Sequence, residues 1–400
     1  MYRLLFIPIL LCLTTNVTAD WRQFRGNNGN SATDSSVPTT WSMDGQNIAW
    51  KIDLPGRGPS SPIVVGDKVI VTCSSGAKQN VMHVLCFAAA DGKQLWERKF
   101  WATGRTISHQ SSANAAPTPA SDGNLIFAFF SSNDLVCLDL EGNLQWYRGL
   151  AFDFPKAGND IGMSSSPVLA NNTVIVQVEN QGQSFSAGID IVDGKTRWQV
   201  PRDQQASWSS PVLLPTESDS SSIVLLQSPS GLTALEAYSG EELWQFKAET
   251  STIPSTIATK DRIFFPSEGT LSLKVEDPRK EPEVDWSSNK LSPTAGSSVL
   301  GDGKIYSVNR VGALTCADAE TGKSIWGLRM KGPFWASPVL AAGHLYCFSQ
   351  SGEAFVVDVR GEKGEIVANI EFGETMQATP AVSNHAMYVR SDKHLWKIAE

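Results

Sequence analysis

Hydrophobic and polar positions along this chain form short apolar runs rich in β-branched residues, separated by polar turns that contain glycine. The pattern is clear in SPIVVGDKVIVTC at residues 61–73 and in HVLCFAAADGKQLWERK at residues 83–99. Such runs are typical of β-strands, and each glycine suits a tight turn that needs a positive φ. We find no segment of helical length with a 3.6-residue apolar period. The pattern therefore predicts an all-β protein, in which these two stretches form four antiparallel strands.

The strand pattern repeats about every forty to fifty residues and is marked by two motifs. One is an opening motif of small residues and proline, as in SSPIVV, with copies that begin at positions 60, 116, 165, 209, 254, 297, 336 and 378. The other is a tryptophan that closes the fourth strand, usually four residues after a turn glycine. The closing tryptophans are Trp96, Trp146, Trp198, Trp244, Trp286 and Trp326, and the seventh unit has Ala368 at that position.

Repeated four-stranded units that contact only their neighbours predict an eight-bladed β-propeller, with the first strand of each blade at the axis. The eighth unit, residues 375–400, contains only three strands. The segment QNIAWKID at residues 46–53 has the pattern of the missing fourth strand, with Trp50 as its closing tryptophan. Pairing the two segments closes the ring and removes two exposed sheet edges. We therefore predict a single propeller domain over residues 20–400.

The closing tryptophans have a predicted structural role at the rim. Blades diverge outward, so a large flat side chain fills the gap between neighbours, and its indole N–H reaches a backbone acceptor. This interpretation favours packing over cofactor stacking for these seven residues.

The connections between blades indicate where a site lies. Trp96 to Pro117 and Trp146 to Pro167 are each 21 residues apart, whereas the other connections span 11 to 13 residues. These two inserts emerge on the same face as the long loops after the second strands of blades 1 and 3. Because extra loop length costs ordering entropy, its accumulation around blades 1–3 favours a binding role over tolerated decoration.

Four polar residues of the two inserts are candidates for ligand binding. His109 lies outside the repeated blade positions, and with Arg105, Asn114 and Asp160 it can line a polar pocket. A solvated loop histidine is the alternative interpretation.

Five residues just before first strands are expected to point into the axial funnel: Arg57, Met163, Trp208, Trp335 and Gln377. The two tryptophans can form the floor of a site for a flat or sugar-like ligand, because aromatic faces offer apolar area with fixed geometry. A plain packing role is the alternative.

Residues 1–19 have the features of a cleaved secretory signal peptide: a basic residue, an apolar stretch from Leu4 to Leu13 and a small-residue end at Ala19. The alternative is an uncleaved anchor, but the apolar run is shorter than the ~20 residues that span a bilayer. Leu11 before Cys12 is too bulky for the usual lipobox. We expect a periplasmic or secreted chain with no transmembrane segment after cleavage.

Composition argues against several function classes. The net charge of -8 and the lack of a Lys/Arg run argue against a nucleic-acid partner. The chain has no Cys/His cluster with zinc spacing and no HExxH, GxSxG, Walker-type or CxxCH motif. Cys73 and Cys86 flank the turn of a predicted hairpin, so a disulfide between them is one alternative to two buried thiols.

The combination of Ser-Pro opening, Asp-Gly-Lys turn and closing tryptophan resembles the pyrroloquinoline-quinone-like (PQQ-like) propeller repeat over residues 20–400. That superfamily includes quinoprotein alcohol dehydrogenases and BamB-like outer-membrane assembly factors. The segment DWRQFRGNNGNSAT also resembles the WxQFRG start of secreted planctomycete repeat proteins.

The resemblance implies two different functions. One is a non-enzymatic binding or assembly scaffold that holds a protein, a small molecule or a carbohydrate at the loop-rich face of blades 1–3. The other is a PQQ-dependent oxidoreductase of alcohols or sugars, with PQQ and Ca²⁺ over Trp208 or Trp335. The dehydrogenases carry a vicinal cysteine pair and a Glu/Asn/Asp calcium set, and this sequence has no adjacent cysteines. The expectation is therefore a scaffold.

Overall fold

The structure is a computed structural model that describes residues 20–158, 161–216 and 222–400. The N-terminal region contributes β1 (Ala32–Thr33) and β2 (Ile48–Asp53). Blades 1 and 2 consist of β3 (Ile63–Val65), β4 (Lys68–Ser75), β5 (Val81–Ala88), β6 (Gln94–Trp101), β7 (Ala120–Ser121), β8 (Leu125–Phe129), β9 (Asp134–Asp139) and β10 (Leu144–Gly149). A single turn of helix, α1 (Leu150–Asp153), follows in the second insert.

Blades 3 to 5 follow in the same order. They consist of β11 (Val168–Ala170), β12 (Thr173–Val178), β13 (Phe185–Asp190), β14 (Thr196–Pro201), β15 (Val212–Leu214), β16 (Ile223–Ser228), β17 (Gly231–Glu236), β18 (Glu242–Lys247), β19 (Ile257–Ala258), β20 (Arg262–Pro266), β21 (Thr270–Lys274) and β22 (Glu283–Ser288).

Blades 6 to 8 complete the chain. They consist of β23 (Val299–Gly301), β24 (Lys304–Val308), β25 (Ala313–Asp318), β26 (Ser324–Arg329), β27 (Val339–Ala341), β28 (His344–Phe348), β29 (Glu353–Asp358), β30 (Glu365–Glu371), β31 (Ala381–Ser383), β32 (Ala386–Arg390) and β33 (His394–Ile398).

The strand pairing confirms the predicted all-β, eight-bladed propeller of four-stranded antiparallel sheets. Strand β2 pairs antiparallel with β33, with Lys51 opposite Trp396, so the N-terminal strand completes blade 8. One pairing was not predicted. Strand β1 adds to the inner edge of blade 7, parallel to β27, with Ala32 opposite Leu340.

Each closing tryptophan packs against the turn between the third and fourth strands of the next blade. In six of the seven, the indole N–H donates to a backbone carbonyl of that blade at 2.9 to 3.2 Å. These acceptors are the carbonyls of Ala89, Leu140, Ile191, Ala237, Pro278 and Ala319. The tryptophans thus join neighbouring blades at the rim.

The hairpin of β4 and β5 forms, but it does not bring its two cysteines together. Its register places Cys73 opposite His83 and Cys86 opposite Ile70. Cys73 belongs to the apolar cluster toward blade 8, whereas Cys86 belongs to the cluster toward blade 2. The two side chains lie on opposite faces of the sheet, so the alternative of a disulfide between them is wrong. Both thiols are buried and free.

Candidate functional site

A ring of hydroxyl groups surrounds the propeller axis. Each opening motif contributes one buried serine or threonine, and the set is Ser61, Thr118, Ser166, Ser210, Ser255, Ser297, Ser337 and Thr379. From each blade to the next, a backbone N–H donates to the side-chain oxygen of the following ring residue, at 2.9 to 3.0 Å in seven successive links. We call this set the hydroxyl ring. It explains why the opening motifs repeat small polar residues.

The ring is closed differently where blade 8 meets blade 1. The Ser61 hydroxyl is buried and has no hydrogen-bond partner among the residues that the structure describes. Instead, the buried Arg390 guanidinium of blade 8 donates to the Ser60 carbonyl at 3.2 Å and to the Thr72 carbonyl at 2.7 Å, both in blade 1. The Arg390 guanidinium therefore joins the first and last blades, where the eighth hydroxyl link is missing.

A second ring of side chains lies above the hydroxyl ring, two residues earlier in each blade. It consists of Pro59, Ala116, Ser164, Trp208, Ile253, Ala295, Trp335 and Gln377. Together with His109 and Ile161 from the inserts, this ring and the hydroxyl ring apart from Ser61 line a cavity of about 300 Å³, the axial funnel. Small residues line the side of blades 1–3, and the two tryptophans stand three blades apart.

The N-terminal segment closes the funnel from the opposite face. Trp21 exchanges backbone hydrogen bonds with Val64 of blade 1 at 2.9 Å, and Asn30 bonds both backbone groups of Leu300 in blade 6. Between these anchors, Phe24 reaches the axis and lines the funnel. We call residues 20–33 the N-terminal strap.

Arg25 of the strap is a buried cation held by carbonyls. Its guanidinium donates to the carbonyls of Ser255, Thr256 and Ser298 at 3.0 to 3.4 Å. Burial lowers the pKa of Arg25 to about 9. The strap thus ties blades 5 and 6 together beneath the funnel.

The structure brings four of the nine candidate residues together in the funnel: His109, Trp208, Trp335 and Gln377. The Trp208 indole N–H donates to the Gly162 carbonyl at 2.8 Å, and the Trp335 indole N–H donates to the Gln350 side chain at 3.0 Å. Both rings are therefore fixed in orientation. The exposed His109 places its Nδ1 2.7 Å from the Ser111 hydroxyl.

Two of the expected funnel residues point elsewhere because the register of their loops differs from the predicted one by one or two residues. Met163 is buried in the core between blades 2 and 3, and Arg57 bonds the Gln110 carbonyl at 2.6 Å without lining the funnel. The funnel positions of these blades are Pro59 and Ser164. Counting three residues back from the proline of each opening motif, as for Trp208, finds both.

Of the four residues predicted to form a polar pocket in the inserts, only His109 lines the funnel among those that the structure describes. Asn114 is fully buried, where its side-chain oxygen accepts from the Ser132 N–H at 2.8 Å and its backbone N–H donates to Gln79. Arg105 is exposed and does not line the funnel. Asp160 lies outside the described residues.

The inserts present an apolar surface that the sequence analysis missed. Trp101, Ile107, Phe152 and Ile161 are 69%, 54%, 79% and 43% exposed. The inserts contact each other, since the Tyr147 hydroxyl donates to the Trp101 carbonyl at 3.2 Å and the His109 N–H donates to the Ile161 carbonyl at 3.1 Å. We call these four side chains the loop-face patch. Their apolar identity within the inserts was a readable signal.

A buried ion pair supports the face beside the funnel. Arg202 Nε donates to Glu179 Oε1 at 2.8 Å, and both side chains are almost inaccessible. Burial raises the pKa of the Glu179 carboxyl to about 7, against the lowering effect of Arg202. The Glu179 backbone also pairs with Ser207, next to Trp208.

Within residues 20–158, 161–216 and 222–400, no group of three or more His, Cys, Asp or Glu side chains is arranged to hold a metal ion. The same residues include no helix with the length and apolarity to span a membrane.

Comparisons with known proteins give a family and a fold. The family model described as outer membrane protein assembly factor BamB matches residues 24–183, 102–263 and 232–361. A curated outer membrane protein assembly factor BamB from Burkholderia pseudomallei (strain K96243) is 24% identical over 273 residues, which is 68% of this chain. The matched region spans 55% of that relative's length.

Solved structures of two kinds are similar to this chain. BamB from Moraxella catarrhalis has a TM-score of 0.66 at 15% identity and covers 88% of this chain and 97% of its own. A europium-containing methanol dehydrogenase has a TM-score of 0.69 at 11% identity, with 95% and 98% covered. A quinohemoprotein alcohol dehydrogenase from Comamonas testosteroni has a TM-score of 0.69 at 12% identity, with 95% and 80% covered. At these identities the likeness concerns the fold alone.

Proposed function

Because this chain belongs to the family of the outer membrane protein assembly factor BamB, we propose that it is a non-enzymatic binding or assembly scaffold of the periplasm or cell exterior. Its partner is a protein segment held on the loop face of blades 1–3. The name of the matched relatives supports a role in assembly. The location rests on the predicted signal peptide at residues 1–19, which lie outside the described residues.

The loop-face patch is the observation that carries the proposal. Two aromatic and two aliphatic side chains are left exposed on neighbouring inserts. Clustered exposed apolar groups cost solubility and mark interaction surfaces, and aromatic residues dominate the binding energy of protein interfaces. Lys99, Arg105 and Lys156 are exposed in the same inserts. The partner segment is therefore expected to carry apolar anchors flanked by acidic residues.

The test is to replace the two most exposed anchors. The double variant Trp101→Ser/Phe152→Ser keeps the scaffold, because neither side chain is buried. The control is Val311→Ser, which changes a 57% exposed apolar residue on the blade 6 loop of the same face. A partner captured from an envelope extract is then purified, and its affinity for each variant is measured by calorimetry.

We expect the double variant to weaken binding by at least about tenfold, since hot-spot aromatic residues contribute roughly 2 kcal/mol or more. Val311→Ser is expected to bind like the parent chain. Equal affinity of the parent and the double variant would remove the loop face from the proposal.

A PQQ-dependent oxidoreductase is the second candidate, supported by the TM-scores of 0.69 with methanol and alcohol dehydrogenases. The chemistry of the funnel does not fit that cofactor. PQQ is a tricarboxylate, and Ca²⁺ takes carboxylate and carbonyl oxygens. The described residues that line the funnel include no Asp, Glu, Lys or Arg. The donor set needed for the quinone and its metal is therefore missing from them.

Incubation of the chain with PQQ and Ca²⁺, followed by desalting, separates the two candidates. We expect no retained quinone absorbance and no reduction of an electron-accepting dye with alcohols or sugars. Retained quinone together with dye reduction would contradict the scaffold proposal and support the oxidoreductase instead.

A further inference from the structure

The hydroxyl ring has hydrogen-bond donors that the described protein groups do not use. Each ring oxygen except that of Ser61 accepts a backbone N–H, and a hydroxyl group also has one proton to donate. None of the eight O–H groups has an acceptor among the described residues, all eight side chains are buried, and all except Ser61 line the funnel. Because a buried unpaired donor is costly, the protons of the seven ring residues that line the funnel require acceptors there, either water or ligand oxygens.

The walls above the ring offer aromatic faces. The indole N–H groups of Trp208 and Trp335 are bound to Gly162 and Gln350, so the tryptophans present their rings and not their donors to the cavity. Gln377 adds an amide that can donate and accept. An aromatic platform above a floor of hydroxyl donors suits a ligand with an apolar ring face and several oxygens.

The charge of the funnel selects a neutral ligand. The described residues lining it include no Asp, Glu, Lys or Arg, and the whole chain has a net charge of -8. Moving a charged ligand from water into such a cavity leaves its charge without a partner. An anion is further disfavoured by the negative chain.

The size and shape of the funnel limit the ligand. Phe24 of the N-terminal strap lines the end of the funnel opposite the loop face. Its volume of about 300 Å³ lies within the range for pockets that hold small ligands.

We propose that the axial funnel binds a neutral saccharide of one or two rings. The C–H face of a sugar ring packs on Trp208 or Trp335, its oxygens accept from the hydroxyl ring, and its own hydroxyls bond Gln377. This site lies beside the loop-face patch and does not depend on a protein partner.

The test is calorimetric titration of the chain from Asp20 with glucose, galactose, N-acetylglucosamine, maltose and cellobiose. Glucuronate and glucosamine are matched probes that keep the ring shape and add a charge. The variants are Trp208→Leu and Trp335→Leu, with Tyr238→Leu as an exposed aromatic control outside both the funnel and the loop-face patch. Gln377→Ala tests the same site if a tryptophan variant fails to fold.

We expect at least one neutral saccharide to bind. Trp208→Leu or Trp335→Leu should weaken that binding about tenfold, and Gln377→Ala should weaken it to a lesser degree. Tyr238→Leu should leave it unchanged, and the charged analogues should bind less tightly than their neutral counterparts. Three outcomes overturn the proposal: no heat from any neutral saccharide at about 50 mM, which corresponds to an affinity weaker than the millimolar range; binding that all three funnel variants retain in full; or tighter binding of glucuronate. Because the loop-face test changes other residues, either proposal can fail alone.

Discussion

Trp198 and Trp326 occupy equivalent positions in blades 3 and 6 and differ in one hydrogen bond. Both are buried and pack against the turn of the following blade. The Trp198 indole N–H donates to the Ala237 carbonyl at 2.9 Å, whereas the Trp326 indole nitrogen is buried with no partner in the described part of the chain. Comparing the two residues therefore separates the contribution of indole packing to stability from that of the indole hydrogen bond.

We predict that Trp198→Phe destabilises the chain by about 1 kcal/mol more than Trp326→Phe, because only the first change leaves a buried carbonyl unpaired. Both variants lose similar ring volume, so each serves as the control for the other. The measurement is the free energy of unfolding from denaturant titrations of the two variants and the parent. Equal losses would show that the hydrogen bonds at the rim contribute nothing measurable.

The lining of the funnel could be predicted from the sequence only in part. The repeat identified Trp208, Trp335 and Gln377 as funnel residues, and the structure places all three there. It misplaced Arg57 and Met163 because a shift of one or two positions in an extended segment turns the side chain away. The hydroxyl ring was visible as a repeated small polar residue, but its links join different blades and so have no local signal.

At the scale of elements, the turn glycines are as constrained as the tryptophans they contact. Gly240 has φ +73°, and an added Cβ would lie 2.6 Å from the Trp198 ring. Gly303 has φ +69°, and an added Cβ would have no atom within 4 Å. The two positions share a left-handed backbone and differ in the close approach of a tryptophan from the preceding blade, which occurs only at Gly240.

We predict that Gly303→Ala costs about 1–2 kcal/mol, the price of a left-handed conformation for a residue with a Cβ. Gly240→Ala should cost roughly 1–3 kcal/mol more, because the methyl group also pushes the Trp198 ring from its site. Thermal or denaturant unfolding of both variants gives the comparison. A loss at Gly240 no larger than at Gly303 would mean that the rim contact is loose.

For the whole molecule, the ends of the chain decide closure. Strand β2 supplies the outer strand of blade 8, and Trp50 packs on Gly92 of blade 1. The segment before β2 buries two tryptophans. Trp21 lies at blade 1 on the face opposite the inserts, and Trp41 packs at the junction of blades 7 and 8. The N-terminal strap, which covers one end of the funnel, and strand β2, which closes the ring of blades, are thus neighbouring segments of the chain.

We predict different outcomes for two truncated chains. A chain starting at residue 46 keeps β2 and should remain a folded monomer with a lower Tm, since it loses two buried tryptophans. A chain starting at residue 54 leaves β33 as an exposed edge and should associate or aggregate. Size-exclusion chromatography with light scattering and far-ultraviolet circular dichroism distinguish the two. A monomer with the same Tm from both chains would show that β2 is dispensable for closure.

The sequence by itself determined the all-β class, the number of blades, the strand that closes the ring and the face that carries the inserts. These features are written in local periodicity, in turn glycines and in the spacing of tryptophans, each of which acts within one repeat. Only the tertiary structure decided the hydroxyl ring, the path of the N-terminal strap, the opposite orientations of Cys73 and Cys86, and the exposed loop-face patch. These features depend on which atoms of distant blades meet across the axis, and the order of residues within a repeat does not encode those distances.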